Sequence, residues 1–213
     1  MDIEWSCQSM IQATRTLFNS NPPRLGDVMG QPLDSVLRDV RCFKYADFDY
    51  AYKNCNNSYV RYVLDHMPIE GLHDRVLIDI KIHDLQAGDV ACVPGWHLDG
   101  SINPHNLPKR PETFTLFVTG KHARTEFVED PIILDTEESW NFAIKSQRCG
   151  RMIPESRSVI TLPSCRFATY GDLDFHRGVP AAEPTKRLLV RTTETDIIKP
   201  RNRIYTPYTH SKS

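Results

Sequence analysis

The 213 residues include no C-x-x-C pair, few glycines (10 against 15 prolines), no surplus of either charge and no long apolar run. Each shortage excludes something. Without C-x-x-C spacing, a zinc ribbon or thioredoxin-type motif is ruled out. The scattered Cys7, Cys42, Cys55, Cys92, Cys149 and Cys165 then read as reduced thiols serving as small buried apolar groups, which points to a cytoplasmic protein. No stretch approaches the roughly 18 to 20 apolar residues of a membrane helix, and MDIEWSCQSM lacks the basic and apolar regions of a secretory signal, so no membrane association is expected. With Lys+Arg 26 against Asp+Glu 27, the net charge of -1 provides no field that would recruit nucleic acid or an anionic surface. A nucleic acid would have to be read by a local patch. At 40% hydrophobic and 25% charged residues, without repeats or low-complexity tracts, the chain is not disordered, collagenous or coiled-coil, and it has enough apolar residues for one full core.

What is present changes period along the chain. Leu33, Val36, Leu37 and Val40 recur at helical spacing after Pro32, and Tyr59, Val60, Val63, Leu64 and Met67 do so after Asn56-Asn57. Residues 1–74 are therefore expected to form an N-terminal helical support region. From Arg75, Val76, Ile78, Ile80 and Ile82 alternate with Leu77, Asp79, Lys81 and His83, the period of a half-buried strand. Strand-like runs follow at VACVPGW, FTLFVTG, RTEFVED, SVITL, CRFATYG, DLDFHRGV and KRLLVRTT, with a helix expected in EESWNFAIKSQ, where Trp140, Ala143 and Ile144 share a face. So many short strands over residues 75–196 describe a sandwich or barrel of jelly-roll type. The expected fold is mainly β with flanking helices, in a single domain 1–213 that ends in a basic tail, 197–213.

Chemistry enters at VPGWHLDGS. His97 and Asp99 are two residues apart, so on an extended chain they point to the same side. With a second imidazole they would form a 2-His-1-carboxylate triad, which holds Fe(II) on one face and leaves positions open. Eight histidines and 27 acids produce about one H-x-D/E by chance in such a chain, so the pair needs a third ligand from a later strand. His176 sits in strand-like sequence with more strand after it. His105 and His122 lie too close to the pair, and His210 lies in the tail. Arg187 and Arg191 follow His176 by 11 and 15 residues and share one face of KRLLVRTT with Leu189, while Leu188 and Val190 share the other. Two guanidinium groups on one side of a buried strand require an anion.

The run His97-Leu98-Asp99, then His176-Arg-Gly-Val-Pro followed by Arg187 and Arg191, resembles the Fe(II)/2-oxoglutarate-dependent dioxygenases. HRGVPAAEPTKRLLVRTT, IDIKIHDL and PGWHLDG are similar to uncharacterised phage-associated members of that superfamily. The resemblance spans roughly residues 75 to 196 and implies a double-stranded β-helix of the cupin type. It also implies iron ligands at His97, Asp99 and His176, with 2-oxoglutarate held at its distal carboxylate by Arg187. Arg191 would be a second co-substrate contact or the partner of an acid. The implied reaction consumes O2 and 2-oxoglutarate, releases succinate and CO2 and hydroxylates a substrate. The substrate is not legible. The phage likeness favours a nucleobase or nucleotide, with a peptide side chain or small metabolite as alternatives. Two other classes remain open: a non-catalytic cupin-type binding module, and a Zn-dependent hydrolase on the same three ligands.

Several residues carry blander expectations. The Asp79, Lys81 and His83 face is of a kind that is ordinarily solvated. Trp96 and the aromatic run KYADFDYAYK are expected to pack rather than to stack bases, Glu194 is a candidate acid for Arg187, and the tail is expected to be a solvated terminus.

Overall fold

The computed structural model describes residues 22–91, 95–99, 111–130, 158–172 and 174–205, together with the backbone of 15–18 and 132–135. Two 11-residue strands, β4 (Arg75–Leu85) and β11 (Thr185–Thr195), form its centre and pair antiparallel along their whole length, from Thr185 opposite Leu85 to Thr195 opposite Arg75. Outward from β11 come β5 (Thr113–Val118), β9 (Arg166–Gly171) and the edge strand β2 (Arg24–Val28). Outward from β4 come β3 (Cys42–Asp47) and the two-residue β12 (Ile204–Tyr205). These seven strands make one antiparallel sheet. A second sheet has the order β10 (His176–Gly178), β6 (Thr125–Val128), β8 (Val159–Thr161), and β1 (Arg15–Phe18) pairs separately with β7 (Ile132–Asp135). The protein is mainly β, as expected.

The alternation read from the sequence sorts the two faces of the large sheet. Ile78, Ile80 and Ile82 of β4 and Leu188 and Val190 of β11 pack with Phe43, Phe117 and Phe167 against two short helices, α1 (Phe48–Asn54) and α2 (Ser58–Asp65), which contribute Ala51, Val60, Val63 and Leu64. Both helices start where side chains cap them. The Asp47 carboxylate accepts from the amides of Asp49 and Tyr50, and the Asn57 side-chain oxygen accepts from Val60 N at 3.0 Å. On the opposite face, Phe114, Leu116 and Val118 of β5, Ala168 and Tyr170 of β9 and Phe127 of β6 form a second core shared by the two sheets.

Four expectations need correction. Residues 1–74 are not chiefly helical, since β1, β2 and β3 lie among them. The Leu33–Val40 spacing yields only a single 3-10 turn, Asp34–Leu37, with no side-chain cap; Leu33 stays 73% exposed, and a helix this short without a continuous buried face is not stable alone. Of VACVPGW, the described Val90, Ala91, Gly95 and Trp96 are not in a strand, Gly95 having φ 82, and the rest lies outside the described residues. The start of the tail is not free, because Ile204 and Tyr205 pair with Phe43 and Cys42. The helix expected in EESWNFAIKSQ lies outside the described residues. KYADFDYAYK packs as expected, with Phe48 and Tyr50 against the helical core.

Candidate metal centre

His176 and His97 face each other across a single antiparallel bridge, with His97 N donating to His176 O at 2.9 Å and His176 N to His97 O at 3.0 Å. Directly opposed residues project side chains to the same side, and the two rings lie 4.4 Å apart between centroids. His97 is therefore placed by this bridge rather than by a strand of its own. Asp99, two residues on, returns to the same side. The ligand atoms of His97, Asp99 and His176 all lie within 4.8 Å of one another.

The tautomers follow from the partners. His97 Nδ1 lies 3.0 Å from Gly95 O, and His176 Nδ1 lies 3.1 Å from Asp174 O. A carbonyl only accepts, so each Nδ1 carries a proton and each Nε2 is the atom left to meet a metal; His176 Nε2 lies 3.2 Å from Asp99 Oδ2. Burial, with His176 alongside, pushes the His97 imidazole down to about 4, so it is neutral near pH 7. Burial opposes the charge on Asp99, but the Arg191 guanidinium, His176 and the Tyr170 hydroxyl outweigh it and hold the carboxyl well below the usual range. A neutral His97 imidazole, the His176 ring beside it and an ionised carboxylate form a donor set that fits a divalent metal. This donor set is that of open-sided iron sites.

Around the triad lie Arg191, assigned from the sequence as a co-substrate contact or the partner of an acid, and groups the sequence reading had not assigned. Arg191 Nη1 donates to Asp99 Oδ2 and Nη2 to Asp79 Oδ2, both at 2.5 Å, and Tyr170 OH donates to Asp99 Oδ2 at 2.7 Å. Asp79 stands directly opposite Arg191 in the β4–β11 register and is 2% exposed. The polar face of β4 is thus turned inward, contrary to expectation, because its acid neutralises the arginine across the ladder. Asp79 Oδ1 also accepts from Tyr45 N at 2.9 Å. Tyr45 lies at a register shift in β3 with φ 50, a left-handed conformation unusual for a tyrosine, and its hydroxyl bonds to Arg191. Tyr170 could have been found from period two, since it shares the inner face with Ala168. No local signal marks the Tyr45 bulge.

Arg187 lies on the same side of β11 as Arg191, is 1% exposed, and donates from Nη2 to Thr125 Oγ1 at 3.0 Å. Thr125 pairs with Gly178 and Phe127 with His176, so the guanidinium reaches the small sheet two residues along from the ligand, roughly 7 Å at strand spacing. Glu194 is not its partner: seven residues away, it faces the other side of β11 and accepts from the amides of Glu70 and Gly71. Trp96 is buried, with the Arg177 guanidinium 4.4 Å above its ring. His122 is 3.5 Å from Glu183, away from the triad, while His105 and His210 lie outside the described residues. A cleft of about 530 Å3 beside β2 is lined by Thr113, Thr169, Tyr170 and Asp174, the last two of which also touch Asp99 and His176. Burial and Glu112 push the Asp172 carboxyl at its rim up to about 6.

No family model matches this chain, and no curated protein or solved structure matches it either.

Proposed function

We propose that this protein is a non-haem Fe(II)- and 2-oxoglutarate-dependent oxygenase on a double-stranded β-helix. The observation that carries the reading is the convergence of two imidazole Nε2 atoms, each with its Nδ1 proton fixed on a carbonyl, on the Asp99 carboxylate. A buried guanidinium, Arg187, stands on the same side. The path of the chain adds support. It visits β4 in the large sheet, residues 95–99 beside β10, β5 in the large sheet, β6 and β8 in the small one, then β9, β10 and β11 in alternation. The large sheet therefore reads β4, β11, β5, β9 beside a small sheet of 95–99, β10, β6, β8, an order that supports the jelly-roll reading.

His97, Asp99 and His176 would hold the iron, which when bound would couple oxidative decarboxylation of 2-oxoglutarate to oxidation of a substrate by O2. Arg191 and Tyr170 fix the Asp99 rotamer, so the carboxylate stays ionised and aimed at the two imidazoles. Arg187, whose fork Thr125 holds in orientation, would bind the distal carboxylate of 2-oxoglutarate. Phe114, Phe127 and Leu116 line the inner face and limit water. The substrate is a nucleobase or nucleotide on the sequence likeness, with a peptide side chain or small metabolite as rivals. The buried free thiols of Cys42, Cys55 and Cys165 suit a cytoplasmic setting. The test is succinate release from 2-oxoglutarate under air with Fe(II) and ascorbate. Release by the wild type that Asp99→Ala abolishes is the expected result, and equal release by both proteins would overturn the reading.

A further inference from the structure

We propose that Lys81 binds an anionic oxygen group, a carboxylate or phosphate, carried by the substrate of this site. The inference rests on the proposed oxygenase reading and deepens it. Alternation along β4 sends Ile80 and Ile82 to the helical core and Lys81 to the other face with Asp79 and His83. In the β4–β11 register Asp79 stands opposite Arg191, Lys81 opposite Leu189 and His83 opposite Arg187. Lys81 is thus placed between the guanidinium that holds Asp99 and the one that reaches Thr125.

The two nearby acids are already engaged, since Arg191 bonds both Asp79 and Asp99. Among the described residues, the Lys81 ammonium makes no hydrogen bond and no ion pair. It is nonetheless half-buried, and burial outweighs the attraction of Asp79 and Asp99 enough to lower its proton affinity. A cation without a close partner in such a position costs stability, and the fold does not require it there: its cross-strand neighbour is Leu189, against which an aliphatic residue would pack as well.

The substrate rather than the co-substrate is the source of the anion, because in the oxygenase reading both ends of 2-oxoglutarate are taken, one by the metal and one by Arg187. A substrate with an acidic group close to the oxidised carbon would meet the Lys81 ammonium between the positions of Arg187 and Arg191.

The experiment uses full-length protein loaded with Mn(II) and 2-oxoglutarate, with sulfate as the oxyanion probe titrated calorimetrically into the wild type, Lys81→Met and Lys81→Arg. Lys81→Met keeps the aliphatic stem, and retention of a Mn(II)-induced rise in melting temperature shows that each variant is folded. The expected result is sulfate binding by the wild type, at least tenfold weaker in Lys81→Met and within threefold of wild type in Lys81→Arg, with 2-oxoglutarate affinity unchanged throughout. Tenfold weaker 2-oxoglutarate binding in Lys81→Met with sulfate binding unaffected would assign the lysine to the co-substrate and overturn the proposal. No sulfate binding by the wild type, or equal binding by wild type and Lys81→Met, would also overturn it. Failure of the wild type to bind Mn(II) and 2-oxoglutarate would instead strike the oxygenase reading, and sulfate titrated into the metal-free proteins would still test the lysine.

Discussion

Replacing Arg191 with Met removes one guanidinium and leaves two carboxylates, Asp79 and Asp99, without their cation. Among the described residues, Asp79, 2% exposed, keeps only the Tyr45 amide as a donor, and Asp99 keeps the Tyr170 hydroxyl and its contact with His176. Breaking a buried ion pair from one side costs about 3 to 5 kcal/mol, because the remaining charge is left uncompensated. For a chain of this length that corresponds to a fall in melting temperature of roughly 6 to 20 °C. The pH dependence identifies the cause. In the wild type the Asp99 carboxyl is held below its unfolded value, so the pair contributes fully above the unfolded value of about 3.9 and its contribution is lost as pH falls through the folded one. In Arg191→Met the remaining burial raises the Asp99 carboxyl instead, so the variant takes up a proton and recovers relative to wild type as pH falls. Urea unfolding of both metal-free proteins between pH 4 and 8 should therefore show the largest gap near neutrality and a narrowing gap toward pH 4. A gap under about 0.5 kcal/mol, the scale of an ordinary surface substitution, or one independent of pH, would refute the role given to Arg191.

Four further outcomes follow from the same geometry. His97→Ala and His176→Ala should fold, because the bridge between them is made by backbone, yet both should lose the Mn(II)-induced stabilisation, about 2.7 kcal/mol at 100 times the dissociation constant, in a thermal-shift titration. The folded His97 imidazole titrates at about 4 against 6.5 in the unfolded chain, so the metal-free protein should lose stability as pH falls from 6.5 toward 4; His97→Gln should flatten that slope in urea unfolding. Arg187→Lys keeps the charge but not the fork, and should weaken 2-oxoglutarate by about 1.5 to 3 kcal/mol with unchanged Mn(II) affinity, measured by calorimetry. Asn57→Ala removes the α2 cap and should cost about 1 kcal/mol in urea unfolding without altering metal binding.

What the sequence conveyed follows physical range. The alternation in Arg75–Leu85 and Thr185–Thr195 was legible because central strands with different environments on their two faces write a period of two directly into the chain. The triad could be picked out for a similar reason, since His97 and Asp99 lie two residues apart in extended chain and His176 lies in a strand. The pairing of Arg191 with Asp79 was not legible, because it depends on the register between strands 112 residues apart. Yet two arginines on one buried face had already implied an acid somewhere. The polar face of β4 was misread as solvated for the same reason: nothing local says that its acid will meet an arginine across the ladder. At the N-terminus, the helical spacing of Leu33, Val36, Leu37 and Val40 lost to tertiary context. Only Leu37 and Val40 of these become buried, while Cys42–Asp47 is drawn into the sheet by pairing with β4. The bulge that presents Tyr45 to Arg191 has no sequence signature.

If one face of this chain binds Fe(II) and clamps a dicarboxylate beside it, each ligand should change the other's spectrum. Fe(II) and 2-oxoglutarate added together to the protein without oxygen should give a weak visible charge-transfer absorption that neither gives alone, lost in Asp99→Ala and requiring more 2-oxoglutarate in Arg187→Lys. A protein that binds Fe(II) yet shows no such band at saturating 2-oxoglutarate, or whose band is indifferent to both substitutions, would contradict the account.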